Sequence, residues 1–200
     1  MKFPRIISSF LNPFFITFYF FIITLNLNTK AINPLPEKAK WIIYGLIIII
    51  TYVIPGLFIK FYGNFIQRFF KYGQKEKRII YFFIVTVFYY LTYYLLIQLR
   101  LSPIYSLFLF GCTSLLVLCL IVSFFWNISI YMVAIGALSG GLLGVSMVFN
   151  INLLFPIFMV IFFSGLLGYS RLSLGKHRPL EVYGGYLTGL AIMLAHYFLF

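Results

Sequence analysis

About seven long apolar runs follow one another along this chain, and nearly every charge falls in the gaps between them. Each run holds roughly 17–22 residues, enough for a helix to cross the ~30 Å hydrocarbon core of a bilayer. Inside lipid, a spanning segment must satisfy its own backbone donors and acceptors, which a helix of that length does. The expected fold is therefore all-α. It is a polytopic transmembrane helix bundle of about seven spans, forming a single transmembrane domain over residues 1–200. Composition agrees: 63% of residues are hydrophobic and only 9% are charged, against roughly 25% charged in soluble domains. A soluble core cannot hide that much apolar surface.

The first run, about Ile6 to Asn26, follows Lys2 and Arg5. It reads as a retained span, because the run is long, contains Pro13 and is followed by no small-x-small cleavage site. The second is about Trp41 to Ile59, with a kink expected at Pro55. A basic loop follows, carrying Lys60, Arg68, Lys71, Lys75, Lys77 and Arg78, with Glu76 its one acid. Further spans are about Ile79–Gln98, Ile104–Phe125, Ser129–Phe149 and Leu153–Tyr169, and the last runs from about Val182 to the end. Gly136, Gly140, Gly141 and Gly144 in one span, and Gly184, Gly185 and Gly189 in another, are small residues at spacings that let helices approach closely.

The net charge of +12 would suggest nucleic acid in a soluble protein. Here the bases sit in short loops and no aromatic-and-basic recognition module is present, so no nucleic acid is expected. Membrane lipids are the expected partners. With seven spans, the N-terminus, the Lys60–Arg78 loop, the Trp126–Ser129 turn and the Ser170–Glu181 stretch share one face. The positive-inside rule makes that basic face cytoplasmic. The expected location is a cell membrane, multi-pass, of the bacterial inner-membrane kind. Cys112 and Cys119 lie within one apolar run and read as small core residues. His177 and His196 are far apart with few carboxylates near them, so no metal site is expected, and no cofactor is implied.

One gap stands out. Ser170-Arg171-Leu172-Ser173-Leu174-Gly175-Lys176-His177-Arg178-Pro179-Leu180-Glu181 gathers ionisable side chains between two apolar runs. Such a cluster at a span end is a functional-site candidate. Its pattern, Ser-Arg-x5-His-x3-acid, resembles the third motif of the type 2 phosphatidic acid phosphatases, SRxxxxxHxxxD, with Glu181 in place of aspartate. Lys71 and Arg78 have the spacing of that family's first motif, KxxxxxxRP, with Ile79 where proline stands, and Lys75 is an alternative to Lys71. The second motif, PSGH, aligns with Ile128-Ser129-Ile130-Tyr131, where only the serine is kept and Tyr131 replaces the histidine. Ser139-Gly140-Gly141 is a poorer placement, since it lies mid-span and leaves too few residues for two crossings before Ser170. The resemblance covers roughly Lys71 to the C-terminus. The opening Ile-Ser-Ser-Phe-Leu-Asn-Pro run also looks like the first span of small bacterial members.

The resemblance implies a six-helix phosphatase-like core and hydrolysis of a lipid phosphate or diphosphate without a metal. His177 attacks phosphorus and Glu181 holds its other ring nitrogen. Lys71, Arg78, Ser129, Ser170 and Arg171 bind phosphate, and Tyr131 stands where the general acid would be. The residue types suit the chemistry. Phosphoryl displacement spreads negative charge over the equatorial oxygens, and arginine meets it with a two-pronged hydrogen bond. An unperturbed tyrosine has a pKa near 10, so it is a poor proton donor at neutral pH. Loss of a general acid costs typically about 10²–10⁴-fold. Weak turnover, selectivity for diphosphates, or a non-catalytic relative that binds anionic lipid or scaffolds a membrane complex all fit the residues. So does a plain anchoring role, with Arg171, Lys176 and Arg178 snorkelling to the interface. A transporter fits less well, because no acid lies at mid-membrane.

Overall fold

The computed structural model describes residues 3–27, 35–69 and 73–199, with only the backbone described at 62–69 and 74–75. The chain is all-helical among these residues: α1 (Phe3–Phe10), α2 (Pro13–Leu25), α3 (Glu37–Ile48), α4 (Ile54–Phe69), α5 (Gln74–Gln98), α6 (Pro103–Val122), α7 (Ile130–Val148), α8 (Leu154–Ser173) and α9 (Pro179–Leu199). Six of the helical stretches are long and apolar enough to cross a membrane, and the bent pair α1–α2 makes a seventh if it is one span. This is an integral membrane protein built as a polytopic helix bundle.

Three features of these helices have local causes. The first run is not one helix: α1 and α2 meet at 59°. Asn12 takes an extended conformation, its side chain accepts from the Phe14 N–H, and Pro13 opens α2. Proline at a first helical position needs no donor. Just ahead of Pro55, where a kink near the span's end is expected, the helix carries a π-helical segment, Ile49–Val53. Proline removes a donor and crowds the carbonyl four residues earlier, here Thr51, and a widened turn relieves both. Most of the basic Lys60–Arg78 stretch is helical, not loop. α4 runs on to Phe69, and α5 starts after Gly73, whose N–H donates to Glu76 Oε2 at 2.6 Å.

Helix α7 is the centre of the bundle and packs on α9, α8, α2 and α6. Its contact with α9 is backbone on backbone. A Cβ on Gly189 would collide with the Val133 carbonyl, and one on Gly136 would collide with that of Tyr186. Small residues permit this approach where lipid supplies no hydrophobic drive between helices. Around the pair, Phe20 stacks on Phe108 and Phe21 on Tyr105, tying α2 to α6.

These contacts bring distant segments to one end of the bundle. Ser170 near the end of α8 bonds to Pro4 and Ser8 of α1. Arg78 near the start of α5 donates to the Ile128 carbonyl just before α7, at 2.6 Å. The Ser129 N–H donates to the Glu181 carbonyl of α9 at 3.1 Å.

Candidate functional site

The start of α9 is written in its first residues. Pro179 occupies the first turn, and Glu181 reaches back so that its Oε2 accepts the Arg178 N–H at 3.2 Å. This is the acidic half of a capping box. The same oxygen lies 2.8 Å from His177 Nδ1. Both side chains are about nine-tenths buried, at 10% and 11% exposure. A neutral imidazole donating Nδ1–H to that carboxylate keeps its lone pair on Nε2, and Nε2 has no protein partner among the described residues.

His177 lines a cleft of about 350 Å³ together with Arg78, Asn127, Tyr131, Arg171 and Lys176. Tyr81, Phe82, Ile128 and Ile130 also line it. Two of its walls begin helices: α7 starts at Ile130, and α9 just beyond His177. First-turn N–H groups lack intrahelical acceptors and favour anions. Three cations, Arg78, Arg171 and Lys176, face one space with low-dielectric walls, which concentrates positive potential there.

The two arginines are held differently. Arg78 is aimed by its bond to Ile128 and lies over the Phe82 ring at 5.4 Å. Arg171 stacks on Tyr131, 4.1 Å from the ring centre, and its buried Nε has no partner. Its carbonyl accepts the Lys176 N–H at 3.3 Å, which folds the loop back over the helix end. A second orphan lies nearby: Ser129 Oγ is fully buried and unbonded.

The sequence-predicted residues divide as follows. Arg78, Tyr131, Arg171 and His177 meet in the cleft, and Glu181 supports His177 from behind. Ser129 precedes α7 as expected, but its hydroxyl makes no cap bond, and the residue itself is not on the cleft wall. Ser170 lies apart from the cleft residues: its hydroxyl is fully buried against α1, bonded to the Pro4 carbonyl and to Ser8 Oγ at 2.8 Å, and the residue does not line the cleft. Lys71 lies outside the described residues, and of Lys75 only the backbone is described.

Sequence reasoning missed Asn127 and placed Lys176 in the candidate cluster without giving it a phosphate role, yet both line the cleft. For Asn127 the available signal was its place just before the second-motif segment. His196 sits elsewhere, joining α9 to α6 through Ser114 at 3.1 Å. Among the described residues no group of three or more His, Cys, Asp or Glu side chains could hold a metal. Comparison with protein-family models, curated proteins and solved structures yields no match to this chain.

Proposed function

We propose that this membrane protein hydrolyses a lipid phosphate or diphosphate through His177, as its resemblance to the type 2 phosphatidic acid phosphatases implies. One observation carries the reading: Arg78, Arg171 and Lys176 surround the same cleft as His177, whose far nitrogen is tied to Glu181 at 2.8 Å. The orphan Nε of Arg171 is a donor that a phosphate oxygen would satisfy.

In the first step His177 Nε2 attacks phosphorus. An N–P bond forms, the P–O bond to the leaving group breaks, and its electron pair stays with the departing oxygen. Glu181 stabilises the charge gained by the imidazole. A departing alkoxide takes up a proton, from Tyr131 or from solvent. A departing phosphate, released from a diphosphate, needs none at that moment. Water then attacks the phosphohistidine, the N–P bond breaks, inorganic phosphate leaves, and the water's proton passes to solvent. The arginines neutralise the equatorial oxygens throughout.

A second reading is favoured by Tyr131, which stands in place of an acid and whose ring is covered by Arg171: the cleft binds an anionic headgroup without turning it over. Purified protein and its His177→Ala variant, assayed against phosphatidic acid and a polyprenyl diphosphate, separate the two. Phosphate release by the parent alone supports hydrolysis. Equal release, or none from either, defeats it, and anionic-lipid binding that persists then supports the second reading.

A further inference from the structure

Adjoining the cleft is a second, smaller cavity of about 60 Å³ between α2, α5, α6 and α7. Tyr81 and Ile130 are walls of both spaces. The smaller one is lined largely by apolar side chains such as Leu116, Val133, Ala134 and Ala137. Thr17 Oγ1 and Tyr89 Oη are bonded to each other at 2.8 Å, and the cavity's other polar groups are the Tyr81 hydroxyl and the Cys112 and Cys119 thiols. An apolar cavity of this kind stays dry and takes hydrocarbon. Its volume matches roughly four to six water-sized, or methylene-sized, groups. That is one chain segment, without space for two.

We propose that this cavity takes the first few carbons of a single hydrocarbon chain esterified directly to the phosphate in the cleft. Alkyl or prenyl phosphates are then preferred to glycerol-linked diacyl phosphates. The inference rests on the cleft's being a phosphate site. A glycerol diester brings two carbonyls and a branch to the position next to the phosphate. There Tyr81 Oη is the one unbonded hydroxyl among the described lining residues, so of two buried carbonyls at least one would be left without a hydroxyl donor, which is costly. A plain chain brings no carbonyl.

The test measures binding of uncleavable phosphonates to the full chain in detergent, so turnover is not required. Methyl-, butyl-, hexyl- and decylphosphonate form the series, with the phosphonate analogue of dihexanoyl phosphatidic acid as the diester. Transfer of a methylene from water to an apolar site is worth on the order of fourfold in affinity. Affinity should rise at least tenfold from methyl to hexyl and then level off, with the diester at least tenfold weaker than hexylphosphonate. Leu116→Trp and Ala134→Leu, on different helices, should each cut the methyl-to-hexyl gain below threefold. Methylphosphonate binding in the same variant reports that the cleft is assembled. A gain that survives both fillings, a flat series, or a diester that equals hexylphosphonate overturns the chain site alone. Failure of methyl- and hexylphosphonate alike to bind overturns the phosphate cleft itself.

Discussion

The guanidinium carbon of Arg171 lies 4.1 Å from the centre of the Tyr131 ring, across the junction of α8 with α7. An arginine over an aromatic face gains about 0.5–2 kcal/mol, more when desolvated. The ring therefore holds the cation where the cleft needs it. Tyr131→Phe keeps that face and should bind inorganic phosphate within threefold of the parent. Tyr131→Ala removes it and should bind about 3–30-fold more weakly, read by titration calorimetry. Equal affinities for all three proteins would mean that other contacts fix Arg171.

On the proposed hydrolysis Tyr131 takes the place of a proton donor, and histidine there should change the chemistry selectively. Tyr131→His is expected to raise turnover of an alkyl phosphate by about 10²-fold, the low end for a positioned general acid. Turnover of a diphosphate, whose leaving group needs no proton, should move less than fivefold. Parallel phosphate-release assays on the two substrates check this. Equal acceleration of both would show that the new side chain acts through binding.

Glu181 has two duties through one oxygen: it accepts the Arg178 N–H and it faces His177 Nδ1. Glu181→Gln keeps an acceptor for the helix start, so thermal unfolding should shift by only a few degrees. An amide can also present N–H to the imidazole and so favour the wrong tautomer. Turnover should fall about 10²-fold or more, as it does when an orienting carboxylate becomes an amide. Trapping labelled phosphohistidine after acid quench distinguishes slow attack from slow release. A variant with parental turnover would show that Glu181 is only a capping residue.

The sequence discloses the bundle because lipid leaves one backbone solution for runs of that length. It discloses the end of the bundle that carries Arg78, Arg171 and His177, because alternating crossings put their segments on one side. It does not disclose what a hydroxyl faces. Ser170 sits in the pattern beside Arg171, but successive residues of a helix point about 100° apart. Arg171 turns toward α7 and Ser170 toward α1. Nor does it disclose the break between α1 and α2 as more than a proline, although that break is what lets α1 lie against α8. Lys176 and Asn127 are ordinary turn residues until the loop at Arg171 and the end of α6 are folded beside each other.

The burial of Ser170 against α1 can be weighed against a phosphate role. Ser8→Ala should lose about 1 kcal/mol, the usual net worth of a buried hydrogen bond, and Ser170→Ala about 2 kcal/mol, because it also loses the bond to the Pro4 carbonyl. The double variant should lose little more than Ser170→Ala alone, which already removes the contact the two serines share. Inorganic phosphate affinity should stay within twofold in all three. A tenfold loss of phosphate binding in Ser170→Ala, with unchanged unfolding, would return Ser170 to the cleft.

Everything at the cleft depends on how closely α9 approaches α7, and the glycines make that measurable. A Cβ at Gly189 would run into the Val133 carbonyl, which is backbone and cannot swing aside. At Gly185 it would come within 3.0 Å of the Ser129 carbonyl. Gly165, on an exposed face of α8, has nothing within 4 Å of the same atom. Gly189→Ala should therefore lower stability by about 1–3 kcal/mol, the cost of overpacking, while Gly165→Ala should be neutral or slightly stabilising. The consequence extends beyond stability. Pushing α9 away from α7 stretches the bond from the Ser129 N–H to the Glu181 carbonyl, and with it the placement of His177 over the cleft. Gly189→Ala should thus also weaken inorganic phosphate binding, at temperatures where it is still folded, whereas Gly165→Ala should not. Thermal unfolding in detergent and phosphate titration on the two variants decide it. Matching behaviour of the two would mean that the helices stand further apart than backbone contact, and that the cleft is positioned by its loops alone.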